Sequence, residues 1–211
     1  MFTHYKTEGF ILKKEDKGEA DRLFTLYTKD FGKIQLLARA ERKINSKLRA
    51  RLELFYLSEV EFIQGKHYKT LTDVVLLDDF KGVRRDLAKL SIAQKISEAL
   101  VGAVHGQEAD SAIWDLLNET FRKLDDCQLT DLQFSRLFYF CFLWNFISIL
   151  GYEIDPSGYD CFRGERLGEI LRIFSKRDWD TLLKLKITDK DVKEIQNSLE
   201  DILEGVLAKL L

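Results

Sequence analysis

Apolar residues are spaced differently in the two parts of the chain. Up to about Phe80 they alternate with polar ones in short runs rich in Thr, Tyr, Phe, Ile and Val, and beyond it they recur at helical spacing. The first pattern predicts five strands, from about Lys6 to Lys14, Arg22 to Thr28, Lys33 to Ala40, Glu53 to Ile63 and Tyr68 to Leu77. Turn signals separate them: Lys17 with Gly18, Asp30 through Gly32, and a tight hairpin at Gln64, Gly65 and Lys66, where a glycine supplies the positive φ such turns need. Five short strands in so small a span predict a barrel. The only long connection, Glu41 to Arg51, has neither proline nor alternation and reads as a loop or one short helix. In the third strand Ile34, Leu36 and Ala38 point one way, so a period of two puts Lys33 and Arg39 outward beside that connection.

The second pattern predicts helices. Ile92, Ile96, Leu100 and Val104 draw one stripe along Ser91 to Val104, and Gly102 and Gly106 mark its end. Asp110 or Ser111 caps the next helix, which runs to about Leu124 with Ile113, Trp114, Leu117 and Phe121 on one face. From Phe134 to Leu150 the chain is apolar nearly all round, which predicts a central buried helix near 131–150, capped by Thr130 or Asp131 and followed by Gly151. A membrane span is not expected, because it needs about twenty apolar residues and Arg136, Asn145 and Ser148 interrupt the run. Pro156, Ser157 and Gly158 fit an irregular segment over 153–168. A last helix begins at Thr188, with Asp191 completing a capping box, and its stripe of Val192, Ile195, Leu199, Ile202, Val206 and Leu210 is expected to dock on the central helix with Trp179, Leu182 and Leu183, the alternative being that it is offered to another protein. The fold class is therefore α+β: a five-stranded barrel over 1–80 and an all-helical domain over 81–211.

With 45% hydrophobic and 32% charged residues, this is a chain that buries cores and not a disordered tail. Lys6, Glu8, Lys13 and Lys14 break up the apolar Phe10 to Leu12, so no secretory signal is expected and the cytoplasm is the default location. Cys127, Cys141 and Cys161 have no metal-ligand spacing, which predicts free thiols, no disulfide and no zinc. His4, His67 and His105 lie far apart, and no phosphate-cradling glycine loop is present. The expectation is a binding protein without catalytic turnover or cofactor. Asp21 and Arg22 are read as holding a turn through hydrogen bonds and an ion pair.

Charge changes the picture most. The net charge is only −2, yet Lys33, Arg39, Arg42, Lys43, Lys47, Arg49 and Arg51 fall in one stretch where Glu41 is the only acid, giving it +6 against −8 for the rest. A clustered patch governs attraction to a polyanion more than net charge does, so these seven residues are the candidate phosphate contacts. Such contacts are sequence-tolerant and release counterions; four to six of them on a single strand imply a log-log salt slope of roughly −3 to −4. Tyr27, Tyr56 and Tyr68 are candidates for stacking on bases, against the plainer alternative of packing in the barrel.

The residues also carry a resemblance. Tyr5, Lys6, Thr7, Glu8 and Gly9 leading into Phe10, Ile11 and Leu12, then Gly18 to Leu23, then Phe31, Gly32 and Lys33, resemble the start of the bacterial recombination mediator family RecO, and Leu150, Gly151 and Tyr152 match its Leu-Gly-Tyr. The resemblance implies an amino-terminal OB-fold, a helical domain, binding of single- and double-stranded DNA, and annealing of complementary strands. It further implies action with RecR to help RecA displace single-strand-binding protein, whose carboxy-terminal tail would be a partner, and a place in the bacterial cytoplasm, at the nucleoid during repair. Some members carry a four-cysteine zinc site after the Leu-Gly-Tyr, whereas here only Cys161 stands in that region, and one thiolate cannot hold the metal. Two other classes stay open: an RNA-binding OB-fold protein, since the phosphate attraction is nearly the same for RNA, and a docking adaptor whose main work is protein binding.

Overall fold

The computed structural model describes residues 3–128, 132–152, 165–185, 187–197 and 199. The side chains of Arg49, Leu132, Gln133 and Glu165 lie outside that description. The five strands are β1 (His4–Lys17), β2 (Asp21–Thr28), β3 (Gly32–Ala38), β4 (Leu57–Gln64) and β5 (Lys69–Asp78). They close a barrel in the order β1-β2-β3-β5-β4, antiparallel except where β3 meets β5 in parallel at Leu36–Lys69 and Leu37–Thr70. This is the OB-fold arrangement.

Closure depends on β1, which pairs with β4 from His4 to Phe10 and with β2 from Gly9 to Lys17. Its register slips between Ile11 and Lys13, and such an irregularity bends a strand enough to serve two neighbours. The alternation of β3 holds: Ile34, Leu36 and Ala38 point into a core shared with Ile11, Phe24, Leu26, Val60 and Phe62.

Two expectations about the barrel are corrected. The fourth strand begins at Leu57 rather than near Glu53. Leu52 is buried and Leu48, Leu54 and Tyr56 pack against the barrel core, while Phe55 adopts a φ of 69° that no strand residue takes. The apolar residues 52–56 thus close the barrel from a loop, fixed to β1 by the Phe55 N–H donating to Ile11 O (2.8 Å) and the Ile11 N–H donating to Tyr56 O (3.0 Å). At the β4–β5 hairpin, Gly65 is not in the left-handed region. A glycine suits it because a Cβ there would lie 2.3 Å from Tyr68 O.

The chain divides into two compact units, Met1–Lys81 with Leu100–Trp114, and Gly82–Ala99 with Asp115–Leu211. In the first, Tyr27 donates its hydroxyl to Asp110 O (3.1 Å), and the Phe10 ring packs against Phe80 and Trp114 at 6.0 and 5.4 Å between centroids.

The helices are α1 (Lys81–Arg84), α2 (Leu87–Ala103), α3 (Ser111–Asp126), α4 (Leu132–Ile149), α5 (Glu165–Ser175) and α6 (Trp179–Leu182). Asp110 caps α3, its carboxylate accepting from the N–H groups of Ala112 (2.8 Å) and Ile113 (3.2 Å). Within the second unit, α4 is buried on several sides, as its composition predicts. A buried amide, Asn145, donates to both Cys141 O and Phe174 O at 2.8 Å. Phe138 stacks on Trp179 with centroids 4.6 Å apart. α5 takes residues 165–168 into a helix, where an irregular segment is expected, because Leu167, Ile170, Leu171 and Phe174 recur at helical spacing and are buried. Residues 189–197 are helical, and the Thr188–Asp191 box forms: the Asp191 carboxylate accepts from the Thr188 N–H (2.9 Å) and hydroxyl (2.8 Å), and the Asp191 N–H donates to Thr188 Oγ1 (3.3 Å). Val192, Ile195 and Leu199 are buried. Thr130, Asp131, Pro156, Cys161, Ile202, Val206 and Leu210 lie outside the described residues. No helix among the described residues is long and apolar enough to cross a membrane.

Candidate nucleic-acid interface

The basic connection between β3 and β4 is tied down at its start by the β1–β2 turn. The Ala40 N–H donates to Asp21 Oδ1 (2.8 Å), the Arg42 N–H to Ala20 O (3.0 Å), and the Arg42 guanidinium to Gly18 O (3.2 Å). Arg22 links both sides. Its Nε donates to Asp16 Oδ1 (2.9 Å), and its Nη1 stands 3.2 Å from Glu41 Oε2 and 3.5 Å from Oε1. The hydrogen bond that Arg22 donates to Asp16, aided by the negative charge of Glu41, raises the Arg22 pKa above its ordinary value against the opposing effect of burial. The Asp16 carboxyl is correspondingly held below its ordinary value, chiefly by that same hydrogen bond. The Gly18–Leu23 motif therefore serves to anchor the loop, and Asp21 and Arg22 hold the turn as the sequence suggests.

Glu41 is the decisive residue. Counted in the sequence, it subtracts one charge from the basic stretch, but in the fold its side chain is wholly buried against Arg22. The exposed part of the loop beyond it, residues 42–47, carries no acid. Arg39, Lys43 and Lys47 are exposed, and no hydrogen bond or ion pair engages their side chains among the described residues.

The other four candidates are placed differently. Arg42 is exposed but lies 3.5 Å from Asp16 Oδ2 in addition to its bond to Gly18 O. Arg51, in the 3-10 turn Arg49–Arg51, donates to Val74 O (3.1 Å). The Arg49 side chain lies outside the described residues. Lys33 is half-buried and donates to Val101 O (2.8 Å), and burial lowers its pKa. The six whose side chains are described are thus engaged differently. Three stand free, two reach backbone carbonyls of the barrel unit, and one is held between the loop and the β1–β2 turn.

Of the three tyrosines, Tyr27 is buried and committed to Asp110 O, and Tyr56 packs against the barrel core. Tyr68 is half-buried, with Lys17 Nζ 5.3 Å from its ring centroid. It lines a hollow with Lys33, Lys13 and Lys69. The last two lysines escape a charge count along the chain, since strand pairing and not sequence distance brings them together. Among the described residues no group of three or more His, Cys, Asp or Glu side chains is arranged to hold a metal.

Residues 1–80, which include the five strands described above and the basic loop, match the family described as Recombination protein O N terminal. Similar over a longer span are proteins named DNA repair protein RecO. That of Gloeothece citriformis is 31% identical over 161 residues, covering 76% of this chain and 56% of its own length. That of Thermoanaerobacter sp. is 27% identical over 220 residues, covering 90% and 87%. The chain belongs to the RecO family. A third RecO, from Dehalococcoides mccartyi, is 36% identical over 61% of this chain and 51% of its own length. For several of these relatives the match spans about half of their length, whereas with the Thermoanaerobacter RecO it runs through both units.

Proposed function

We propose that this RecO-family chain is a DNA repair and recombination mediator that holds single- and double-stranded DNA by its phosphates and anneals complementary strands. In this reading it acts with RecR to help RecA load onto DNA covered by single-strand-binding protein, whose tail binds the helical unit. The observation that carries the DNA contact is the burial of Glu41 on Arg22, which leaves Arg39, Lys43 and Lys47 exposed on an anchored, acid-free loop.

The mechanism needs no cofactor and no turnover. Cations at fixed positions displace condensed counterions from a phosphate backbone, and the contact carries no sequence information. Annealing follows when the same cations screen two strands from each other while their base edges stay free to pair. Anchoring matters because a loop fixed at Ala40 and Arg42 has less freedom to lose when it meets the polymer.

The test is a titration of fluorescent single-stranded DNA at several salt concentrations with the wild type and an Arg39→Glu, Lys43→Glu, Lys47→Glu variant. The expected result is weaker binding, a salt slope shallower by about 2 at roughly 0.7 per lost phosphate contact, and slower annealing of complementary oligomers. A variant that anneals as fast as the wild type would overturn the proposal. For the partners, the measurement is co-sedimentation of the whole chain with RecR and with a peptide of the single-strand-binding protein tail.

A further inference from the structure

We infer a second nucleic-acid contact apart from the basic loop: the hollow beside Tyr68 receives one unpaired nucleotide, its base against the Tyr68 ring and its phosphate on Lys13, Lys33 and Lys69. The inference rests on the proposed nucleic-acid binding and adds to it a preference for single strands.

The hollow lies on the outside of the barrel, between strand residues and the segment Val101–Gln107 of the same compact unit, and its volume of about 440 Å³ falls within the range of small-ligand sites. Among the described residues three lysines line it and no carboxylate does. Lys33 donates to Val101 O and Lys69 to Gln107 Oε1, both at 2.8 Å. These acceptors are neutral, so each ammonium is hydrogen-bonded but not neutralised. A phosphate oxygen makes the stronger, charge-assisted bond with the same donor and displaces the carbonyl or amide. Lys13 is paired at 3.1 Å with Glu15, an exposed contact of small worth that a phosphate also replaces. The depressed pKa of half-buried Lys33 is what an ammonium shows when burial is not matched by an anion.

The remaining wall suits a base. Tyr68 offers a ring that already attracts the cation of Lys17. Gln35, Gln64 and Gln107 line the same space, and each amide both donates and accepts, so it can meet the edge of any base. A base inside a duplex has both faces covered by its neighbours and its pairing edge occupied. Only an unpaired nucleotide can turn a face to Tyr68.

The experiment compares fluorescent single-stranded DNA with a duplex of the same sequence, for the full chain and the variants Tyr68→Ala, Tyr68→Phe and Lys69→Gln, each first checked by thermal melting. Tyr68→Ala is expected to weaken single-strand binding by roughly 5- to 150-fold, the loss of one stacked base, and to leave duplex binding within about twofold. Tyr68→Phe keeps the ring and the single-strand affinity. Lys69→Gln makes the single-strand salt slope shallower by about 0.7; this keeps the inference testable if Tyr68→Ala does not fold. Wild-type affinity in both Tyr68→Ala and Lys69→Gln, or equal losses for strand and duplex, would overturn the hollow as a site. Loss of binding in the Arg39, Lys43, Lys47 variant together with wild-type behaviour of Tyr68→Ala would reject the hollow and leave the loop contact standing. The reverse pattern would reject the loop and keep the hollow.

Discussion

Replacing Arg22 by alanine should destabilise the chain severely although the residue sits at the surface end of a strand. Among the described residues Arg22 is the only cation paired with the wholly buried Glu41, and it retains 21% side-chain exposure against 1% for Glu41. Breaking a buried pair from one side costs about 3–5 kcal/mol, because the remaining charge is left without compensation. The partial exposure of Arg22 admits water, so the lower end applies, about 3 kcal/mol. For a chain of this size that corresponds to a fall in Tm of about 6–12 °C. Thermal unfolding followed by circular dichroism reads it directly. Removing both charges with apolar residues, Arg22→Leu with Glu41→Leu, should recover most of the loss, since no charge is then stranded. Arg22→Ala should also weaken single-stranded DNA binding through the loosened loop base, with none of the exposed loop cations altered. A Tm for Arg22→Ala within about 1 °C of wild type, or a double variant no more stable than the single one, would refute the account of Glu41 as a carboxylate dependent on Arg22.

Two further outcomes follow from the geometry. Gly32 begins β3 at a φ of 59°, and a Cβ there would lie 2.2 Å from Glu108 O. Gly32→Ala should therefore lose the about 1–3 kcal/mol of a strained backbone position and more for the clash, read as a drop in the urea midpoint. In the second unit, burial pushes the Asp191 carboxyl upward most strongly, but the N–H and hydroxyl of Thr188 and the nearby Arg166 together outweigh it and hold the pKa below its ordinary value. A depressed carboxylate stabilises the fold above its unfolded pKa of about 4 and loses that contribution as pH falls through the lower folded value. The urea-midpoint gap between wild type and Asp191→Asn should thus be constant from neutral pH to about 5 and close below about 4.

The barrel is legible in the sequence because its strands are half-exposed: Ile34, Leu36 and Ala38 alternate cleanly with outward residues. The start of β4 is not, since Leu52, Leu54 and Tyr56 have the composition of a strand and are apolar for another reason, closing the barrel from a loop. The helices of the second unit are legible by stripe. α5 is obscured by its neighbourhood of proline and glycine, which reads as irregular, although Leu167, Ile170, Leu171 and Phe174 carry a helical period.

The site is legible in charge and illegible in sign and grouping. The basic stretch stands out, but nothing local tells that Glu41 turns inward to a strand residue nineteen positions earlier, or that Lys33 donates to a helix carbonyl sixty-eight positions later. Lys13 and Lys69 reach the hollow of Lys33 through strand pairing, and Tyr68 joins them from the turn before β5. Such long-range contacts have no periodic signature. The capping residues Asp110 and Asp191 are readable because their partners lie two or three positions away.

Leu48, Leu52, Leu54 and Tyr56 make the β3–β4 connection two devices spliced end to end, an outward arc and an inward stopper. The arc can exchange cations, gain length or change shape with little effect on folding, for among the described residues no hydrogen bond, ion pair or core contact engages the side chains of Lys43, Ile44 or Lys47. The stopper has no such licence, because trimming it uncaps the barrel. Tuning for a new polyanion is therefore cheap from Lys43 to Lys47 and costly at Leu48, Leu52, Leu54 and Tyr56, a division of tolerance that mutational scanning would draw as an edge near Leu48.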